Sequence, residues 1–300
     1  MDAVELGRII ETLERALPEL GKLTPARVLG GGFSSVVVEV AGGWVFKVAR
    51  NPVAAAGHAR EARLLPALRG WLATPVPAPR WQVGSSEGLP FGALGYPKLV
   101  GVALTRERGQ GLAVSAEVAA FLAELHTFPP ERALGLSLPG PSARRSAIER
   151  LRDEELPLLR DLLTAAEQRM IARWWDGFLT DPELRAAPAR LVHGDLWYEN
   201  VLVDPVEDKV VGVVDFESAA VDDPAQDFAA LMHLGEPFVE RIVDAYVAAG
   251  GAPGASFDHR LRRYWELREM GGVRHALRYD PEELDDALRK LRAGPVLSPG

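Results

Sequence analysis

His193-Gly194-Asp195 opens a run that reads H-G-D-x-x-x-x-N through Asn200, and Val214-Asp215-Phe216 follows shortly after. Phosphoryl transfer from a nucleotide needs a carboxylate beside the acceptor hydroxyl and oxygen ligands for the Mg²⁺ that neutralises the phosphates. Asp195 is the candidate for the first task, and Asn200 with Asp215 for the second. An amide and a carboxylate held on neighbouring strand ends make an oxygen-rich site suited to a hard cation. His193 reads as an orienting residue, bonded to backbone or to the metal-binding loop, rather than a base, and His126 as a buried or boundary residue of a helix. Neither has the spacing of a zinc site. Asp227, about a dozen residues beyond Asp215, reads as a carboxylate accepting backbone amides of the catalytic loop. Asp222 and Asp223 either line the acceptor site or close a turn.

Upstream, Gly30-Gly31-Gly32-Phe33-Ser34-Ser35 nearly matches G-x-G-x-x-G. A dinucleotide-binding loop would lead into a helix, but Val36-Val37-Val38 is a strand. The loop is therefore the tip of a hairpin, as in a flap over nucleotide phosphates. Lys47 sits mid-strand between Phe46 and Val48, and Glu61 lies on the following helix at a distance that permits a kinase-like ion pair. Local pairing of Glu61 with Arg60 or Arg63 is the competing account.

The elements that must position these groups are legible from periodicity. Val4, Ile9, Ile10, Leu13 and Leu17 recur at helical spacing. Strands are expected at 36–40 and 44–48 around an Ala41-Gly42-Gly43 turn, a helix at 54–68, and strands near 80–83 and 91–99. From about Ala116 the pattern is helical, through 143–163, 165–178, 237–249 and 259–291. Short strands at 191–192, 201–203 and 210–214 interrupt it, and 294–300 reads as a frayed tail. The expected fold class is α+β, with a small antiparallel-sheet lobe over residues 1–100 and a larger helical lobe over 101–300.

Composition narrows the function classes. The 300 residues contain no cysteine, which excludes disulfides, thiolate catalysis and zinc–thiolate sites. The net charge of -8 argues against general nucleic-acid binding. It suits a cationic substrate or simply solubility. No apolar run approaches the ~20 residues that span a bilayer, and the acidic start lacks the plan of a signal peptide. A cytoplasmic monomer without membrane or nucleic-acid partners is the expectation.

Together these residues resemble the aminoglycoside phosphotransferase superfamily, which shares the protein-kinase fold and includes choline, methylthioribose and macrolide kinases. The 2″-aminoglycoside branch is most similar, through the leading helix and Tyr96-Pro97-Lys98-Leu99-Val100. The resemblance implies a two-lobe kinase-like fold using Mg²⁺ with ATP or GTP. It makes Asp195 the catalytic base or acceptor-orienting residue, and Asn200 and Asp215 the Mg²⁺ ligands. Gly30, Gly32, Ser34 and Ser35 would cover the phosphates, Lys47 with Glu61 would anchor them, and Pro97, Lys98, Leu99 and Val100 would meet the purine. The implied acceptor is an aminoglycoside-type antibiotic or a similar polar, cationic compound. A metabolic kinase for a sugar, choline-like or amino-alcohol substrate, and a silent nucleotide-binding protein, are the alternatives. Three departures stand out: Ser35 replaces the third glycine, Glu217 stands where protein kinases have glycine after D-F, and no activation segment fits before Asp227.

Overall fold

The structure is a computed structural model describing residues 2–31, 34–108, 112–207 and 209–298. Helix α1 (Ala3–Ala16) starts where Asp2 caps it, Oδ1 accepting from the Glu5 amide at 2.8 Å. A five-stranded antiparallel sheet follows: β1 (Arg27–Gly31), β2 (Ser35–Val40), β3 (Trp44–Ala49), β4 (Trp81–Val83) and β5 (Ala93–Pro97), in the order β1-β2-β3-β5-β4. Helix α2 (Pro52–Leu68), capped by Asn51, connects β3 to the β4–β5 pair. Side chains alternate across a strand. Val36, Val38, Phe46 and Val48 therefore pack with Ile9, Ile10 and Leu13 of α1 in one core. Lys47 faces away from that core, into the cleft below the sheet.

The remainder is mostly helical. Strand β6 (Val102–Ala103) leads to α3 (Leu112–Thr127), α4 (Pro130–Gly135), α5 (Pro141–Leu159), α6 (Ala165–Thr180) and α7 (Pro182–Arg185). The motif region is β7 (Arg190–Val192), β8 (Val201–Val203), β9 (Val210–Val213) and β10 (Ala220–Asp222), forming the small sheets β6-β8-β9 and β10-β7. Helices α8 (Ala225–Leu231), α9 (Glu236–Ala248), α10 (Phe257–Tyr279) and α11 (Leu284–Ala293) close the chain. Phe121, Trp175, Phe228, Ile242, Tyr246 and Met270 are fully buried in its core. Among the described residues no helix is long and apolar enough to cross a membrane.

Two expectations need correction. The helical stretch 259–291 is broken at Asp280-Pro281, where Asp280 leaves the helical region at φ -143°. Proline disfavours α geometry in the residue before it and lacks an amide. The tail is also docked rather than frayed as far as Ser298: Val296 is buried against the helical core, and the Ser298 amide donates to Gly294 O at 2.9 Å.

Candidate active site

The loop after β7 is built around Asp227. Its carboxylate accepts from the His193 amide (Oδ2, 2.9 Å), the Gly194 amide (Oδ1, 2.9 Å) and His126 Nε2 (3.1 Å). Burial would raise its pKa, but the His126 bond and these neighbours hold it below the usual carboxylate range. Gly194 takes φ +79°, and a Cβ there would strike the Ser218 carbonyl. His193 donates from Nε2 to Val214 O at 3.0 Å, which ties the loop to the segment after β9 that carries Asp215 and leaves Nδ1 facing the Asp195 amide at 3.4 Å. With its backbone fixed, Asp195 keeps a side chain 49% exposed to the cleft. Asn200 Nδ2 donates to Asp195 O at 3.0 Å, so the aspartate and the asparagine of the motif lie side by side.

Across the cleft, Lys47 is buried among three carboxylates: Glu61 at 2.8 Å, Asp215 at 3.0 Å and Glu217 at 2.7 Å. Burial would lower the ammonium's pKa, but Glu61, Asp215 and Glu217 raise it well above the usual lysine value. Glu61 spends its other oxygen on the Phe216 amide at 2.7 Å. Asp215 sits in the left-handed region at φ +68°, ψ 63°, a strained geometry for a residue with a side chain. Glu217 meets His58 Nε2 at 3.1 Å and Ser35 Oγ at 3.1 Å, and Arg60 Nη2 donates to its carbonyl at 2.9 Å. The Glu61 pairing is thus with Lys47, not with Arg60 or Arg63.

Burial pushes the Glu217 carboxyl up, but the His58 bond and the Lys47 charge outweigh it and hold it at about 2. A depressed carboxylate contributes stability that is present above its unfolded pKa of ~4.3 and lost as pH falls toward the folded value. Between about pH 4.5 and 2 the native protein should therefore lose stability that Glu217→Gln never had. Melting temperatures of both proteins across that range check this: the gap between them should narrow on acidification, and a constant gap contradicts the linkage.

Among the glycine-loop candidates, Gly30 lies on the exposed strand β1 beside a bulge, and Gly32 is outside the described residues. Ser34 O accepts from the Arg50 amide at 2.9 Å, and the Ser35 hydroxyl is buried against His58 at 2.9 Å rather than turned to the cleft. At the lobe connection the Lys98 amide donates to Gly43 O at 2.8 Å, and its ammonium meets Glu39 at 2.9 Å. Pro97 pairs with Trp44, Leu99 is half-buried, and Val100 is 84% exposed. A cavity of about 350 Å³ adjoins this segment, lined by Pro97, Lys98, Leu99, Leu72, Pro75 and Arg80 among others. None of Lys47, Asp195 or Asp215 lines it, so it borders the hinge and not the reacting centre.

On the other side of Asp195 stand residues that motif reasoning missed. Arg268 Nη2 on α10 donates to Asp195 Oδ1 at 3.0 Å, and its guanidinium lies 5.7 Å from the Trp197 ring centre. Trp197 contacts His233 at 4.1 Å between centroids, and His233 contacts Trp265 at 4.7 Å. Burial, then the charges of Arg268, Lys290 and Arg106, hold the His233 imidazole at about 4, neutral at pH 7. Three acidic residues beyond Asp215 are paired with cations. Asp223 is buried under Arg260, Asp222 is paired with Arg144 at 3.1 Å, and Asp286 pairs within its own helix with Arg289 and Lys290. Helical spacing carried one usable signal, because His58 precedes Glu61 by three and shares its face. Nothing local marks Arg268, which lies 73 residues from Asp195.

Several known proteins are similar. The GDP and kanamycin complex of APH(2")-IIia superposes with a TM-score of 0.81 at 22% identity, covering 94% of this chain and 96% of that one. YcbJ of Bacillus subtilis (strain 168), an uncharacterised protein, is 27% identical over 158 residues, 50% of this chain and 51% of its own length. Viomycin phosphotransferase of Streptomyces vinaceus is 33% identical over 114 residues, 37% of this chain and 38% of that protein. The chain thus spans about half the length, or less, of the curated relatives it matches. The kinase-like fold is that of the solved phosphotransferase, an antiparallel-sheet lobe followed by a mostly helical remainder. From residue 25 to residue 292 the sequence matches the profile described as Phosphotransferase enzyme family, APH, and the chain belongs to that family.

Proposed function

We propose that the protein transfers the γ-phosphate of ATP or GTP to a hydroxyl of a small molecule of the antibiotic type, closing lobes 1–100 and 101–300 on the nucleotide. The observation that carries this reading is one cleft holding both halves of the chemistry: Lys47 within 3.0 Å of Glu61 and Asp215, and Asp195 joined to Asn200 at 3.0 Å. Nucleotide phosphates meet Lys47, and the purine lies against Leu99 and Val100. Asp195 orients the acceptor hydroxyl. The acceptor oxygen bonds to the γ-phosphorus as the bond to the β,γ-bridging oxygen breaks. The hydroxyl proton passes to Asp195, and the electron pair leaves with the nucleoside diphosphate.

Asn200 and Asp215 fit Mg²⁺ by donor chemistry. Asn200 spends its Nδ2 on Asp195 O, which leaves the amide oxygen as its remaining ligand atom. Among the described residues no group of three or more His, Cys, Asp or Glu could hold a metal alone. That suits Mg²⁺, which keeps waters and takes phosphate oxygens beside one or two carboxylates. When bound it offsets phosphate charge. Asp215→Ala is accordingly expected to weaken Mg-nucleotide binding by calorimetry far more than it lowers the melting temperature, and an unchanged titration would reject the assignment.

A metabolic kinase is the second reading, favoured by the arginine on Asp195, which suits few polycations. A nucleotide-coupled screen with ATP and GTP, across aminoglycosides, other hydroxylated antibiotics and small alcohols, tests both. Turnover of none, with nucleotide bound, leaves a silent nucleotide-binding protein.

A further inference from the structure

The acceptor side of Asp195 is basic and aromatic. Arg268, Trp197, His233 and Trp265 form a continuous set running from the catalytic loop to α10. None belongs to the sheet lobe or to the Lys47 cluster, and the set meets Asp195 through Arg268. Arg106 joins it by donating to His233 O at 2.6 Å. His233, neutral at pH 7, adds no charge of its own and packs between Trp197, at a tilted 59°, and Trp265, edge-on at 69°.

An ammonium approaching Asp195 meets a carboxylate whose Oδ1 already accepts from Arg268 Nη2 at 3.0 Å, so a like charge stands at hydrogen-bond distance from the same group. A carboxylate or carbonyl oxygen beside the acceptor hydroxyl is in the opposite position. The guanidinium fork has donors to spare, and it recognises such oxygens with directional, charge-assisted bonds. Trp197, half-buried between Tyr198, His233 and Arg268, offers its remaining apolar area to the rest of the molecule.

Resting on the phosphoryl-transfer reading above, we propose that Arg268 is a specificity-determining residue: it selects an acceptor carrying an oxyanion or carbonyl oxygen next to the reacting hydroxyl, on a flat or apolar body seated against Trp197, and disfavours polycations.

Three alcohols that share a phenyl ring and differ beside the hydroxyl test this: mandelate, mandelamide and 2-amino-1-phenylethanol, with kanamycin as a polycation. Turnover with Mg-nucleotide and acceptor binding by thermal shift are read for the wild type, Arg268→Lys, Arg268→Gln and Arg268→Glu. The wild type should rank mandelate and mandelamide above the amine. Arg268→Gln should raise KM for mandelate about ten- to a hundred-fold, the worth of one charge-assisted bond, with a smaller change in kcat. Arg268→Lys should keep part of the preference, and Arg268→Glu should reverse it toward the amine and kanamycin. An equal loss for all four acceptors, or a wild type that prefers kanamycin, overturns the proposal. If the wild type turns over none of them, the phosphoryl-transfer reading is decided separately by the wider screen above. The thermal shifts of wild type and Arg268→Gln with mandelate then still decide the binding preference, and equal shifts overturn it. Melting temperatures of the free variants show that each is folded.

Discussion

Asp195→Ala is expected to lower kcat by roughly 10²–10⁴, the usual worth of a positioned acid–base group, while nucleotide affinity barely moves. The loop backbone at this position is fixed by Asp227 and His193 and not by the Asp195 side chain. Removing the carboxylate therefore takes away proton acceptance and hydroxyl orientation without collapsing the loop. It also leaves Arg268 without its partner. Asp195→Asn, which keeps the shape and a hydrogen-bonding oxygen, should show a similar kcat loss. Single-turnover rates with saturating nucleotide and acceptor make the comparison. Near-normal turnover in either variant would remove Asp195 from the chemistry.

Asp227→Ala should be the most damaging substitution for stability, by about 3–5 kcal/mol, as when one partner of a buried charged network is deleted. Asp227 is fully buried, and its loss orphans the His193 and Gly194 amides and His126 Nε2, whose ring keeps only its Nδ1 contact with Tyr246. Each stranded buried donor costs on the order of 1–3 kcal/mol. The same change frees the loop that aims Asp195, and displacement by about 1 Å can cost 10² in rate. Urea titration gives the stability loss, and turnover well below the melting temperature gives the rate loss. A destabilisation under about 1 kcal/mol would show that the loop is held by something other than this carboxylate.

Much of this was legible before any coordinates, and the reason differs by region. The glycine hairpin and Lys47 strand follow from alternation and turn chemistry, because Val36-Val37-Val38 and the Ala41-Gly42-Gly43 turn admit one local answer. The Asp227 contact with loop amides follows from the short spacing beyond Asp215. Periodicity misled at 259–291, where apolar spacing continues through Asp280-Pro281 and only the backbone chemistry of proline stops the helix. The docked tail escaped because burial of Val296 depends on helices packed far from it in sequence. Charge misled most. Asp222, Asp223 and Asp286 are acidic in the sequence, yet Arg144, Arg260 and Lys290 neutralise them in space. Pairings of this kind are tertiary, and a net charge of -8 says nothing about which face remains acidic.

The way α2 grips the segment after Asp215 bears on how the cleft can be blocked. Glu61 takes the Phe216 amide, Arg60 takes the Glu217 carbonyl, and Gly57 lies so close that an added Cβ would come within 3.1 Å of the Glu217 side chain. Kinase inhibitors that wedge between this helix and the segment after Asp215 need room to push the two apart. Here that motion would break the Lys47 ion pairs and unstack a glycine-tight contact at once. Compounds shaped to the assembled cleft should therefore outperform those that pry it open, and resistance to the first kind should arise at the hinge around Leu99 rather than in the helix.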